Sequence, residues 1–182
     1  MIRNLVVGIR DTKGFTLIEL LIVVAIIGII AAIAVPGLLR ARISGNEASA
    51  IGSTRAIVSA EIDYWGLNRG YAATLNALGA LCPSMTVPFI SPDLNANGAI
   101  KSGYVFNVTN GLGGVAGPND CNGTASTTAY YVTAWPQTLG TTGNRAFASN
   151  VGSAIWQDTN PAANTAPPEP FTLGGTISPL GK

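Results

Sequence analysis

Leu20 to Leu39 is a run of 20 residues with no charged side chain, entered directly past a single carboxylate, Glu19. As an α-helix it is ~30 Å long at ~1.5 Å per residue, enough to cross the hydrocarbon core of a bilayer. A helix apolar on every side needs lipid or other helices around it. An acid beside such a run is expensive in lipid, ~3 kcal/mol near a helix centre and less toward the interface. The sequence therefore predicts a partner for Glu19.

The chain has 182 residues, 10% of them charged, with formal net charge +1. Beyond the apolar run roughly 115 to 140 residues remain, enough for one domain with a modest core. Outside residues 1–14, seven Lys/Arg stand against eight Asp/Glu, a side-chain sum of −1. No basic cluster for a phosphate backbone is visible, so no nucleic-acid site is expected. The chain lacks histidine, which excludes a Ser-His-Asp arrangement. Zinc, haem and iron–sulfur centres have almost no ligands to draw on, and no cofactor is expected. Cys82 and Cys121 are the two cysteines. An even count in a segment placed outside the cytoplasm favours one disulfide over two buried thiols.

Two plain readings fit residues 1–39 in part. A secretory signal peptide would have the basic leader (Arg3, Arg10, Lys13), the apolar stretch and a small-residue cleavage site at Ala32-Ile33-Ala34. It leaves Glu19 at the start of its apolar region, and the helical pattern runs past Pro36. A generic membrane anchor accounts for the length and for a cytoplasmic basic flank. It leaves the Gly14-Phe15 junction and Glu19 without a reason.

The stretch Lys13-Gly14-Phe15-Thr16-Leu17-Ile18-Glu19, continued by the apolar helix to Pro36, resembles the N-terminal signature of type IV pilins and related pseudopilins. The resemblance implies cleavage between Gly14 and Phe15 by a membrane prepilin peptidase, N-methylation of Phe15 and loss of the leader Met1–Gly14. It implies an α+β fold, a long N-terminal helix packed on a small antiparallel β-meander head. The implied function is that of a structural subunit polymerising into a surface filament for adhesion, twitching motility or DNA uptake. The implied partners are further copies of the chain, the bacterial inner membrane before assembly, the peptidase and the assembly machinery. A pseudopilin of a type II secretion system is the nearest alternative, and a membrane-anchored periplasmic binding module a more distant one. Elementary electrostatics fits the family role. A new Phe15 amine, with a reference pKa of ~8, is a cation four residues from Glu19 and equally available to an adjoining helix. The plainer reading of Glu19 is an interfacial acid marking the membrane boundary.

Further along, Ile43, Ala50, Ile51, Ile57, Val58, Ile62 and Trp65 recur at helical spacing. Arg40, Asn46, Glu47, Ser49, Ser53, Ser59 and Asp63 are expected on the opposite, solvated side. One helix of ~50 residues, ~75 Å long, follows. Gly28 and Pro36 weaken its apolar half; by resemblance this section can unwind on assembly, and a plain kink is the alternative. Gly66 and Gly70 are expected to end the helix, a second short helix is expected within 72–81, and a loop from Pro83 to Pro92. Strands are predicted at 104–109, 129–135, 145–149 and 153–157. The expected organisation is therefore leader 1–14, apolar helix 15–39, amphipathic helix 40–66, head 67–157 and a Pro-rich tail 158–182, extended on the surface or partly disordered.

Three weaker signals remain. Asp93-Leu94-Asn95-Ala96-Asn97-Gly98 matches half of a calcium loop, but Tyr104 stands where the closing acid belongs. A polar turn is the better reading. Asn107-Val108-Thr109 and Asn122-Gly123-Thr124 match a glycosylation sequon and read by default as polar turns. Glu61 and Asp63 are the remnant of an enzyme hypothesis, a two-carboxylate hydrolase.

Overall fold

The computed structural model describes residues 14–83 and 85–181. The expectations for residues 1–13, the leader among them, lie outside the described residues. Helix α1 runs without a break from Leu17 to Asn68 and contains Pro36. The chain divides into two units at Leu38 and Leu39. In the first, every large apolar side chain from Leu17 to Leu38 is exposed, from 52% at Val23 to 77% at Ile33.

The second unit holds the rest of α1 and everything after it. Its further elements are α2 (Leu75–Gly79), a 3-10 turn (Pro92–Leu94), and strands β1 (Ala99–Lys101), β2 (Tyr104–Asn110), β3 (Ala116–Asn119), β4 (Ala125–Thr127), β5 (Tyr130–Pro136), β6 (Ala146–Asn150), β7 (Trp156–Asp158) and β8 (Ile177–Pro179). Six of the strands form one antiparallel sheet in the order β1-β2-β5-β6-β7-β8, and β3 pairs with β4. The fold is α+β: a long helix followed by an antiparallel sheet.

Period-two alternation sets the inner face of the sheet. Tyr104, Phe106 and Val108 of β2, Tyr130, Val132 and Ala134 of β5, and Phe147 of β6 are buried against Ala50, Ile57, Val58, Ala60 and Tyr64 of α1. Leu75, Leu78, Ile90 and Leu94 close the same core. The turn from β1 to β2 places Ser102 and Gly103 at φ 49 and 72, the double left-handed geometry that favours Gly in a two-residue hairpin.

The helix ends two residues beyond Gly66. Arg69 adopts φ 60, and its N–H donates to the Trp65 carbonyl at 2.8 Å, the left-handed stop that glycine usually makes. Its guanidinium lies 5.9 Å over the Trp65 ring, a cation–π contact of ~0.5–1 kcal/mol. Gly70 is needed for a different reason. A Cβ there would sit 2.0 Å from Ser126 Oγ.

The inward face of α1 differs from the one expected. Ile43, Glu47, Ala50, Ser53, Thr54, Ile57, Val58, Ala60, Glu61, Tyr64 and Asn68 are buried, whereas Ile62 and Trp65 are exposed. Hydrophobic spacing alone misplaces the stripe because two of its inward members are glutamates with partners elsewhere in the fold.

The tail runs extended along the surface and adds one strand that its composition does not predict. β8 adds an edge strand to β7, and the segment before it is fastened to the sheet. Tyr131 donates its hydroxyl to the Pro167 carbonyl. Glu169 accepts from Asn150 Nδ2 at 2.7 Å and from the Leu112 N–H at 2.7 Å. Phe171 stacks on Trp156 at 5.2 Å. Prolines cannot donate to a ladder, so this segment is held through its acceptors. Thr133 and Ala148 are buried although they alternate with the inward residues of their strands.

Candidate assembly site

Phe15 is 93% exposed, and Gly14 has open space where a Cβ would sit. Immediately beyond them the helix opens on a reciprocal cap. Thr16 donates to Glu19 Oε2 twice, from its backbone N–H at 2.9 Å and from its hydroxyl at 2.7 Å. The Glu19 N–H donates back to Thr16 Oγ1 at 3.3 Å. This is a capping box, in which a Thr and a Glu three residues on satisfy each other's first-turn groups. Sequence reasoning treated Glu19 as an acid in search of a partner and passed over Thr16. The signal was present as Thr-x-x-Glu before an apolar run.

The cap gives Glu19 a place that is not hostile. A carboxylate in the first turn lies at the positive end of the helix dipole, worth ~0.3–1 kcal/mol. Both bonds from Thr16 fall on Oε2, and among the described residues Oε1 accepts none. One carboxylate oxygen thus orients the side chain while the other makes no hydrogen bond among the described residues. Gly28 and Pro36 lie within the continuous helix, and at Pro36 the missing N–H leaves the Ala32 carbonyl without its helical donor.

Polar contacts secure the head to its part of α1, chief among them those of Glu47, Tyr64 and Asn68. Glu47 accepts from the Asn144 and Arg145 N–H groups through Oε1, at 2.9 and 3.2 Å. Its Oε2 accepts from Arg145 Nε at 2.8 Å and pairs with Nη2 at 2.7 Å. Cys82 and Cys121 are joined, closing a loop of sequence separation 39. Asn68 donates to the Tyr64 carbonyl and accepts from the Cys121 N–H at 3.1 Å. Asp120 accepts from Tyr64 Oη at 2.8 Å and from the N–H groups of Asn122 and Thr124. The bridge therefore sits in the β3–β4 turn, with the end of α1 tied to the same turn.

The weaker sequence signals resolve into structural contacts. Asp93 pairs with Lys101 at 2.7 Å. Asn97 Oδ1 accepts from the Leu75 and Val108 N–H groups, and its amide donates to the Val108 carbonyl. The side chains that half a calcium loop would need are thereby engaged within the fold. Glu61 is fully buried and Asp63 exposed, so the two carboxyls do not share a site.

Similarity to known proteins includes most of the apolar run. The family described as the prokaryotic N-terminal methylation motif matches residues 9–35. The type IV wide pilus major component PilA4 of Thermus thermophilus is 40% identical over 91 residues, 48% of this chain and 70% of that protein. The type II secretion system core protein G of Escherichia coli is 32% identical over 90 residues, 49% of this chain and 61% of that protein. The type IV major pilin protein PilA of Myxococcus xanthus is 39% identical over 67 residues, 37% and 30% of the two chains. No solved structure matches. With a methylation motif, a capped apolar helix with its flanks exposed, and a relative matched over most of that relative's length, the chain belongs to the type IV pilin-like family.

Proposed function

We propose that this chain is the precursor of a structural subunit of a type IV pilus. The observation that carries the reading is the helix start: a capped Glu19 beside an exposed Phe15, followed by an apolar surface that none of the described residues covers. Before assembly that surface is buried in the inner membrane, with the basic leader on the cytoplasmic side. A prepilin peptidase cuts between Gly14 and Phe15, and the new amine is methylated. In the filament, apolar helices of successive copies bury one another. Glu19 of one copy is neutralised by the Phe15 amine of the next, which fixes the axial register; register is the best-attested use of a buried polar pair. The Gly28–Pro36 section, already short of one backbone donor at Pro36, is where the helix yields if packing demands it. The head forms the outer surface. Its role is adhesion, twitching motility or DNA uptake, driven by separate ATPases of the assembly machinery. The role is structural, with no reaction assigned to the head.

A pseudopilin of a type II secretion system is the second reading, favoured by the similarity to core protein G of three species. Shearing cells and sequencing the product distinguishes the two. Long shed filaments whose subunit begins at methylated Phe15 support the pilus, whereas retention in the envelope supports the pseudopilin. A product beginning at Met1 or Val35 removes both.

The role of Glu19 has its own test, because the capping box separates two functions of one side chain. Glu19→Ala removes both the cap and the charge. It should leave the protein processed and membrane-bound but lower shed filament by ~10-fold or more, in keeping with ~1.5–3 kcal/mol for a hydrogen bond to a charged group. Thr16→Ala removes the cap, worth ~0.5–2 kcal/mol, and keeps the carboxylate. It should still assemble. Equal losses in both variants would make Glu19 a capping residue and no more.

A further inference from the structure

Glu61 lies on the buried face of α1 and is 0% exposed. Its Oε2 accepts from the Ala72 N–H at 2.8 Å, and Oε1 has no hydrogen-bond partner. The hydroxyl of Tyr130 on β5, also buried, has none either. Tyr64, one turn along α1, spends its hydroxyl on Asp120 in the β3–β4 turn. The titratable groups around Glu61 are thus Tyr64 on its own helix, Asp120 behind it, Tyr71 in the segment leading to Ala72, and Tyr130 on the sheet. None is a cation. The ion pairs among the described residues, Lys101–Asp93 and Arg145–Glu47, lie elsewhere.

A buried carboxylate without a cation and with only one donor is strongly disfavoured. A carboxylic acid in the same place is not. It keeps the Oε2 acceptor for Ala72 and turns Oε1 into a donor.

We propose that Glu61 is a pH-sensitive latch: buried as a neutral acid it lets α1 close on the Ala72 segment, and once ionised it disfavours that closed arrangement. The proposal does not depend on polymerisation and applies to the single chain.

Burial is the main cause that pushes the Glu61 carboxyl from the ordinary 4.5 up to about 8, with the Ala72 N–H pulling weakly the other way. Burial likewise raises the Tyr64 and Tyr130 hydroxyls above the usual tyrosine value, so both remain neutral as Glu61 titrates. The sign follows from proton counting. Between the unfolded and folded values the folded chain holds the extra proton, so stability falls as pH rises. The contribution of Glu61 is complete below about pH 4.5, declines up to about pH 8 and changes no further above it.

The test is urea unfolding of the full chain in detergent micelles, followed by tryptophan fluorescence at a series of pH values. The folding equilibrium constant should fall by roughly tenfold per pH unit between these limits for wild type relative to Glu61→Gln. Glutamine keeps the Ala72 acceptor and supplies a permanent donor. The protection factor of the Ala72 amide, its exchange rate taken against the intrinsic rate at each pH, should fall over the same window in wild type only. Identical pH slopes in the two proteins would overturn the proposal. Should the glutamine variant not fold, carbon-13 NMR of the wild-type Glu61 carboxyl decides: a midpoint near 8 supports the latch, and a carboxylate already ionised at ordinary glutamate values overturns it.

Discussion

Glu47→Ala should cost the head ~3–5 kcal/mol, the range for breaking a buried charge pair by removing one partner. The side chain of Glu47 is 8% exposed and that of Arg145 35%. The deletion strands a guanidinium and two backbone N–H groups, those of Asn144 and Arg145, at once. Arg145 is further held by Gln157 Oε1 at 2.9 Å and lies 5.6 Å over the Phe147 ring, so it cannot swing fully into solvent without losing those contacts. Next to it, Gly143 admits no side chain, since a Cβ would fall 2.0 Å from the hydroxyl of Tyr104. That hydroxyl donates to the Arg145 carbonyl at 2.7 Å. The turn is thus built around the glutamate, and little of it can relax to compensate. Arg145→Ala should cost less than Glu47→Ala, because the two backbone donors still neutralise part of the carboxylate. The measurement is the urea midpoint at constant m-value. A cost for Glu47→Ala below ~1 kcal/mol, as for a surface pair, would remove the clamp from the account of how the head is held.

Replacing Cys82 and Cys121 together with serine should cost ~3–4 kcal/mol, the chain-entropy value for a loop of this length. The effect should be local as well as global. Cys121 donates its N–H to Asn68 Oδ1, Asp120 accepts from the Tyr64 hydroxyl, and Tyr71 exchanges both backbone bonds with Thr127 at 2.8 Å. Those contacts hold the β3–β4 hairpin to the end of α1, and each has a greater entropic cost once the covalent link is gone. Limited proteolysis should therefore cut the serine variant first between β3 and β4. A variant with unchanged midpoint and no new cut in that hairpin would show that the noncovalent contacts suffice.

The two experiments bear on one physical fact, which is that polar residues set how α1 meets the sheet. A stripe chosen by apolar spacing places Ile62 and Trp65 inward and Glu47 outward. The fold reverses those assignments, since Glu47 finds Arg145 ninety-eight residues later. No local pattern carries a contact of that separation. Thr16 is the opposite case. Its bond to Glu19 spans three residues, so the contact lies wholly within a local pattern.

Strand signals show the same division. β2 and β5 are legible because their own aromatic and β-branched residues alternate, whereas β6 offers only Phe147 between small residues and Gly-bearing turns. β1 and β8 are three residues each, and β3 contains a glycine and a proline. These are strands only because a partner is supplied: β2 for β1, β7 for β8, and β4 for β3. The proline-rich tail is held by Tyr131, Asn150 and the Leu112 N–H, all distant in sequence. Composition reads it as loose because its donors belong to other segments.

What the sequence alone determined was whatever is written within a few turns of chain: an apolar helix long enough for a membrane, its lone acid, a helix continuing past Pro36, and strands with strong alternation. Tertiary structure alone decided which face of α1 turns inward, that Glu47 is clamped while Glu61 is enclosed without a cation, and that the tail completes the sheet. The reason is common to all three. Burial of a polar group is tolerable only if its partner arrives, and the partner's position is fixed by the whole fold rather than by neighbouring residues.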